Sequence, residues 1–480
     1  MQLFENRTQC FKIGIGLLTT FLTVLLFFNF IPNLAFNQLE KVLSRGELTV
    51  ITRNSPTTFY ETTDGDTGLE YDLIKGFADS LGVKFKIVIA NKFNDILPTV
   101  TNGHADFAAA GLSITDERLK IVKFTPSYQE VKQQVIYHRN NIRPKTLEDL
   151  FNKHIEIVSG SSHSHNLRNI AKQNSELSWT DTETADSDQL LYLVAQKLID
   201  NTISDSNEFM IYRHFFPELD VAFDISEPEK LAWAFPKSND DSLFKAASDY
   251  LIKIKNNGTL KQIIERHYGH TEKFDYVGVR RFVRHISTRL KFYKSHFINA
   301  AEKNNLDWKL LAAAGYQESH WNTRAISPTG VRGIMMLTRR TAGQLGVKNR
   351  LNAKSSIFGG AKYLSHLISR MDEDIPEPDR TWMALASYNV GFGHLADARK
   401  ITEKLGKDPN KWIDVKSSLP LLAQRRWYKK TKYGYARGWE PVKYVENIRS
   451  YYDLLSWEIN KSKPAAVPEP ASMKIMPNIL

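Results

Sequence analysis

Cysteine is almost missing from this chain: Cys10 is the single one in 480 residues. An intrachain disulfide is therefore excluded, and so is a cysteine-based zinc site. Long apolar runs are as scarce. One stretch, 13–31, is long enough to matter, and no second one of its kind follows. A polytopic membrane protein is excluded on that ground. Acidic residues are outnumbered, with Asp+Glu at 53 against Lys+Arg at 64, for a formal charge of +11. A basic surface suits an anionic partner, which is a nucleic acid, an anionic membrane or an acidic polymer. No groove-reading motif accompanies the charge, so nucleic acid is not expected. What remains is globular in proportion, at 42% hydrophobic and 24% charged. The length fits about two to four domains of roughly 100–200 residues each.

Arg7 and Lys12 lead into the apolar run. A basic start followed by an apolar stretch reads as an export signal. Residues 1–35 are assigned to it, as a cleaved signal peptide or a retained anchor. Cys10 precedes the run, whereas a lipoprotein signal has its cysteine after it, so lipidation is not expected. The rest of the chain is expected beyond the inner membrane: periplasmic and membrane-associated, peripheral to the outer membrane or held by an inner-membrane anchor.

From about residue 40 to 268, strand and helix patterns alternate. Residues 47–52 (ELTVIT) read as a buried strand, 68–78 turn into a helix with apolar residues three and four apart, and 84–89 (KFKIVI) alternate. Such alternation argues for parallel βαβ units. Asn102-Gly103 and Asn257-Gly258 punctuate it as turn or cap signals. His163 and His165, one residue apart in a Ser-rich stretch, are expected to be solvated rather than metal-binding.

The blocks GELTVITRNSP, GLEYDLIKGFADSLG and NGHADFAAAGLSITDERLKIVKFTPSY, with the ending WAFPKSNDDSLFKAASDYLIKIKNNGTLKQIIERHYG, resemble the family-3 periplasmic solute-binding proteins. The resemblance implies two α/β lobes around a cleft, with the chain crossing between them twice, and an amino acid as ligand; a muropeptide is a further candidate for the same cleft. By it, Arg118 falls on the arginine that clamps a ligand carboxylate, which a guanidinium suits by donating two parallel hydrogen bonds. Ser113 falls on the serine that assists, and Asp205 on the acid that takes a ligand ammonium.

From 269 to 460 the composition changes. Seven of the nine tryptophans lie beyond residue 300, and helical spacing replaces alternation, so this part is mainly α. Residues 307–318 read as an apolar helix ending on an acid, Glu318. A carboxyl among apolar and aromatic neighbours is harder to ionise. A glutamate becomes a general acid near neutral pH in that way, and cleaving a glycosidic bond needs such an acid.

Four ordered blocks, YQESHW, GVRGIMMLTRRTAGQLGV, ALASYNVGFGH and EPVKYVENI, resemble the soluble lytic transglycosylases, whose fold is similar to goose-type lysozyme. The resemblance implies that Glu318 is the catalytic acid, flanked by Ser319. It places Tyr388 and Asn389 on the family's YN pair and Tyr444 on a cleft tyrosine. Met336 stands where that family usually has glutamine. A thioether is a weak acceptor and no donor, so an amide hydrogen bond is lost there.

The expected architecture is multidomain: a two-lobed α/β, periplasmic-binding-protein-like domain (40–268), then a mainly α, lysozyme-like domain (269–460), then a disordered tail (461–480). The expected partner is the glycan strand of peptidoglycan, with no metal or cofactor. The competing expectation is an amino-acid-binding protein carrying a non-catalytic helical docking module.

Overall fold

The computed structural model describes residues 36–62, 65–271, 276–327 and 330–461. The expected export signal at 1–35 and all but the first residue of the expected tail lie outside them. No described helix is long and apolar enough to cross a membrane.

The first lobe is built on the strand Glu47–Thr52. Its parallel neighbours are Lys84–Ile89 on one side and Phe107–Ala108 on the other. Leu48, Val50 and Ile51 are buried in it, as befits a strand covered on both faces. The sheet then turns antiparallel through Ala234–Pro236 to its edge strand Val122–Phe124. The helix Leu69–Leu81 buries Leu73, Ile74 and Phe77 and stops at Gly82, whose backbone is left-handed (φ 69°). Phe77, Phe107, Trp233 and Phe235 form the aromatic centre, with Phe107 and Phe235 stacked at 4.8 Å.

The second lobe departs from the parallel expectation. Its central strand Gln133–His138 pairs antiparallel with both Asn201–Asp205 and Leu219–Asp224. Glu156–Val158 pairs in parallel with Thr180–Thr182, and Ile155 forms a parallel bridge with Asn201. The chain enters this lobe along Gln133–His138 and leaves it along Leu219–Asp224, and a chain that turns back to the other lobe sets those two strands antiparallel. Two short strands, Gln129–Val131 and Glu229–Leu231, pair antiparallel where the chain passes between lobes, giving the two crossings.

The remaining part is helical. A core of buried residues that includes Phe282, Phe297, Tyr316, Trp321 and Trp412 is surrounded by the helices. The helix Trp308–Ser319 starts at Asp307, whose side chain accepts the Lys309 N–H. It carries Ala312, Ala313, Ala314 and Gly315, all buried. Small side chains let neighbours approach on every side: a Cβ at Gly315 would lie 2.9 Å from Phe297 Cζ. The terminal helix Trp439–Lys461 packs against Trp308–Ser319 and against Asp379–Val390.

That terminal helix also meets the solute-binding-like part. Arg449 Nη1 donates to Glu265 Oε1 at 3.0 Å, and its Nη2 donates to the carbonyls of Glu265 and Arg266. Lys416 reaches the same Glu265 oxygen at 3.0 Å. Asp453 is hydrogen-bonded to His270 Nε2 at 2.5 Å, and Trp457 stacks on Phe215 at 4.5 Å.

Candidate active site

Glu318 occupies the last turn of a buried helix, beside the open side of the helical domain. A cleft of about 680 Å³ opens there, lined by Glu318, His320, Met336, Tyr388 and Asn389 among others. Glu318 is the one carboxylate among the described residues lining it. Burial pushes its carboxyl up to about 7, against a smaller pull downward from the hydrogen bond of Tyr444. The Tyr444 hydroxyl donates to Glu318 Oε1 at 2.5 Å. A carboxyl held in this way is protonated in a large fraction of molecules at neutral pH, as a general acid requires.

The other expected residues fall around it in different roles. Tyr388 is half-buried, and its hydroxyl donates to the Met335 carbonyl at 2.8 Å. Tyr388 lines the cleft, and a phenol oxygen that donates its one proton still has lone pairs able to accept an N–H. Asn389 is exposed at the cleft wall. Met336 is half-buried in the cleft with left-handed backbone (φ 44°). The turn before it depends on Gly333 (φ 93°), where a Cβ would sit 2.1 Å from the Arg350 carbonyl. The Ser319 hydroxyl is turned inward, donating to the carbonyls of Ile334 (2.8 Å) and Gly315 (3.1 Å). It ties the Glu318 helix to the Met335–Met336 turn and does not offer its oxygen to the cleft.

The sequence reading missed two contributors. Asn447 Nδ2 donates to Gln317 Oε1 at 3.1 Å, a second tie between the Glu318 helix and the Tyr444 helix. His320 lies exposed at the cleft rim. Asn447 stands in the quoted block EPVKYVENI and His320 in YQESHW, so both were in view without a role.

In the first domain, Arg118, Asp205 and His163 line a narrow cleft between the lobes with Arg53 and Glu208. Arg118 is buried. Its guanidinium donates to Ser113 O at 3.0 Å and to Gly160 O at 3.2 Å, bridging the two lobes. Ser113 is buried beside it and its backbone bridges to Leu231. Asp205 faces His163 Nε2 at 3.1 Å, and Arg53 pairs with Glu208 at 3.1 Å. The expectation of a solvated histidine pair is corrected. Ser161 caps a helix, Ser162–Ala171, by accepting the Ser164 N–H, and its first turn carries His163 into the interior. His165 pairs with Glu117 at 3.0 Å. Among the described residues no cluster of three or more His, Cys, Asp or Glu side chains is arranged to hold a metal ion.

Two family profiles match the chain in this order. "Bacterial extracellular solute-binding proteins, family 3" covers residues 48–270, and "Transglycosylase SLT domain" covers 295–411. Among solved structures, an ancestral arginine-binding protein bound to arginine aligns at TM-score 0.43 and 26% identity, over 47% of this chain and 99% of that one. The P235GK mutant of ArgBP from T. maritima aligns at TM-score 0.44 and 24% identity, over 48% and 99%. Whole-chain relatives are closer. Membrane-bound lytic murein transglycosylase F 1 of Alkalilimnicola ehrlichii is 50% identical over 87% of this chain and 85% of its own. Membrane-bound lytic murein transglycosylase F of Saccharophagus degradans is 49% identical over 87% and 84%. With the matched profiles spanning both parts and relatives aligned across them, the chain belongs to the membrane-bound lytic murein transglycosylase F family.

Proposed function

We propose that this membrane-associated enzyme cleaves the β-1,4 bond between N-acetylmuramic acid and N-acetylglucosamine in peptidoglycan, with Glu318 as its one acid and base. The observation that carries the reading is a solitary carboxyl, raised by burial to about 7 and held by Tyr444 at the floor of an open cleft. Ordinary glycosidases use two carboxylates. A single one suits a route in which the substrate supplies the rest.

Protonated Glu318 donates to the glycosidic oxygen as the C1–O bond breaks. The acetamido group of the muramoyl residue stabilises the oxocarbenium-like centre. Tyr388 accepts the acetamido N–H and Asn389 orients the sugar. Carboxylate Glu318 then takes the proton of the muramoyl 6-hydroxyl, whose oxygen bonds to C1. The product carries a 1,6-anhydro ring, Glu318 is protonated again, and no water is consumed. Intramolecular attack needs positioning alone, which is a large rate gain. Met336 lines the sugar path by shape, and Tyr444 holds the acid in place.

In the first domain, at about 40–268, Arg118 and Ser113 receive the carboxylate of an amino acid or muropeptide, and Asp205 receives its ammonium. The basic, apolar N-terminus supports a position beyond the inner membrane. A binding protein with a non-catalytic helical module would leave the raised Glu318 without a role.

The test is mass spectrometry of the products released from purified sacculi. Anhydromuropeptides are expected from the natural chain, and about 10²–10⁴-fold less of them from Glu318→Gln. Hydrolytic products with a free reducing end would overturn the mechanism. Calorimetry with stem peptides tests the first cleft: heat that disappears in Arg118→Ala is expected, and no heat with any peptide would overturn that part.

A further inference from the structure

The cleft has a rim that this mechanism does not use. Directly after Ser319, two non-glycine residues, His320 (φ 52°) and Trp321 (φ 55°), take left-handed backbone. Such conformations persist only where the surroundings hold them, and they gather at functional sites. Two contacts hold them here. Trp321 is buried and its Nε1–H donates to Ala312 O at 2.8 Å. Arg289 Nη1 donates to His320 O at 2.8 Å. The outcome is an exposed imidazole at the lip of the cleft that contains Glu318.

Behind His320 runs the helix Tyr276–Thr288. Phe282 and His285 are buried on one side, and Arg281 and Arg284, one turn apart, are exposed on the other. His285 Nδ1 is hydrogen-bonded to Tyr316 Oη at 3.0 Å, fastening this basic face to the helix that carries Glu318. The charges acting on His320 are Arg281 and Arg289, and no carboxylate is among them. Arg281, Arg284 and Arg289 all act on His285. Burial first, and these cations second, hold both imidazoles below their ordinary range. The rim's positive charge therefore belongs to the arginines and is permanent. Among the described residues none of the three arginines is in an ion pair, and no carboxylate is among the charges that act on the two imidazoles.

We propose that Arg281, Arg284, Arg289 and His320 form a carboxylate-binding subsite at the rim, receiving the acidic arm that the muramoyl residue carries on its 3-oxygen. The proposal rests on the peptidoglycan reading above. A guanidinium matches a carboxylate with parallel N–H donors, and the arm is what makes this glycan anionic. The carboxylate is that of the lactyl group itself or of the peptide attached to it. An anionic lipid surface would answer the same charges. The rim, however, continues through His320 into a concave cleft that a flat bilayer cannot enter.

The experiment compares full-length Glu318→Gln with the same chain also carrying Arg281→Gln and Arg284→Gln. Both substitutions lie on an exposed helix face, and circular dichroism checks the fold. Each protein is co-sedimented, across a salt series, with intact sacculi, with strands stripped of peptide by an amidase, and with stripped strands whose lactyl carboxylates are amidated. On intact sacculi the arginine variant is expected to bind about tenfold more weakly, with a flatter salt dependence. On amidated strands the two proteins are expected to bind alike. A deficit that persists on stripped strands assigns the lactyl carboxylate, and one that vanishes there assigns the peptide. With Glu318 restored, KM rises about tenfold and kcat stays near its natural value. Equal binding to intact sacculi at all salts overturns the proposal, as does an equal deficit on amidated strands. Anionic phospholipid vesicles serve as a fourth arm of the co-sedimentation, and a deficit confined to them overturns the proposal too. Natural chain that releases no anhydromuropeptide sinks the catalytic reading alone, since the binding comparison still decides the rim. Failure of the Glu318→Gln parent to sediment with sacculi overturns both.

Discussion

Tyr444 and Glu318, 126 residues apart in sequence, meet at 2.5 Å with the phenol donating to the carboxyl. Burial raises the carboxyl and the phenol's hydrogen bond lowers it. The acid strength of the site is the balance between those two effects.

Removing the acid should stop turnover and leave the fold intact. Glu318→Gln keeps the shape of the side chain and the contact to Tyr444 while losing the transferable proton. A fall of about 10²–10⁴-fold in product release is expected. Residual activity within a few-fold of the natural chain on purified sacculi would show that another group supplies the proton.

The same carboxyl sets a pH limb. Its protonated form does the first step, so kcat/KM should fall as pH rises through about 7. Tyr444→Phe removes an interaction that favours the ionised form, so the limb should move to higher pH while the rate drops about tenfold. A limb that moves to lower pH in Tyr444→Phe would contradict the geometry.

Stability falls in the same direction, from the same shift. The folded-state value of about 7 lies above the ordinary 4.5, so the native state binds the proton more tightly. The native fold is then favoured most below 4.5 and loses stability as pH rises to about 7. Glu318→Gln has no such loss. Its Tm should exceed that of the natural chain at pH 8 and match it at pH 4, as differential scanning calorimetry would read.

The junction between the two parts depends on Glu265. Arg449 and Lys416 both reach its Oε1 at 3.0 Å, and Arg449 also lies over the Trp382 ring at 4.0 Å. Breaking a buried pair by removing one partner leaves an uncompensated charge, at a cost of about 3–5 kcal/mol. Glu265→Gln should therefore weaken the junction and split one thermal transition into two. A single transition at the natural Tm would mean that the junction does not couple the two parts.

Met336 offers a gain-of-contact test. Its thioether lines the cleft where related sequences usually have glutamine, and its left-handed backbone is already in place. Met336→Gln adds a donor and an acceptor of similar size. A sugar hydrogen bond contributes about 0.5–1.5 kcal/mol, so KM should fall about two- to tenfold with Tm nearly unchanged. An unchanged KM would place the substrate elsewhere in the cleft.

Much was legible in order along the chain. ELTVIT folds as a buried strand and KFKIVI as its parallel neighbour, because apolar period and length record local burial. Glu318 stood out because an acid at the end of an apolar helix is a local anomaly. The antiparallel second sheet was not legible, since strand direction depends on where the chain crosses between lobes. Nor was the burial of His163, because a Ser-rich stretch reads as solvent-facing until Ser161 is seen to cap a helix.

By itself, the sequence determined which segments bury themselves, which class each part belongs to, and which side chain is able to act as an acid. Tertiary structure alone decided that Tyr444 meets Glu318, that Ser319 turns inward, and that Arg281 and Arg289 act on His320 while Arg284 joins them around His285. The physical reason is range. Periodicity records how each residue meets its own neighbours in the chain. Hydrogen bonds and charges act between groups that only the packed helices bring within a few ångströms.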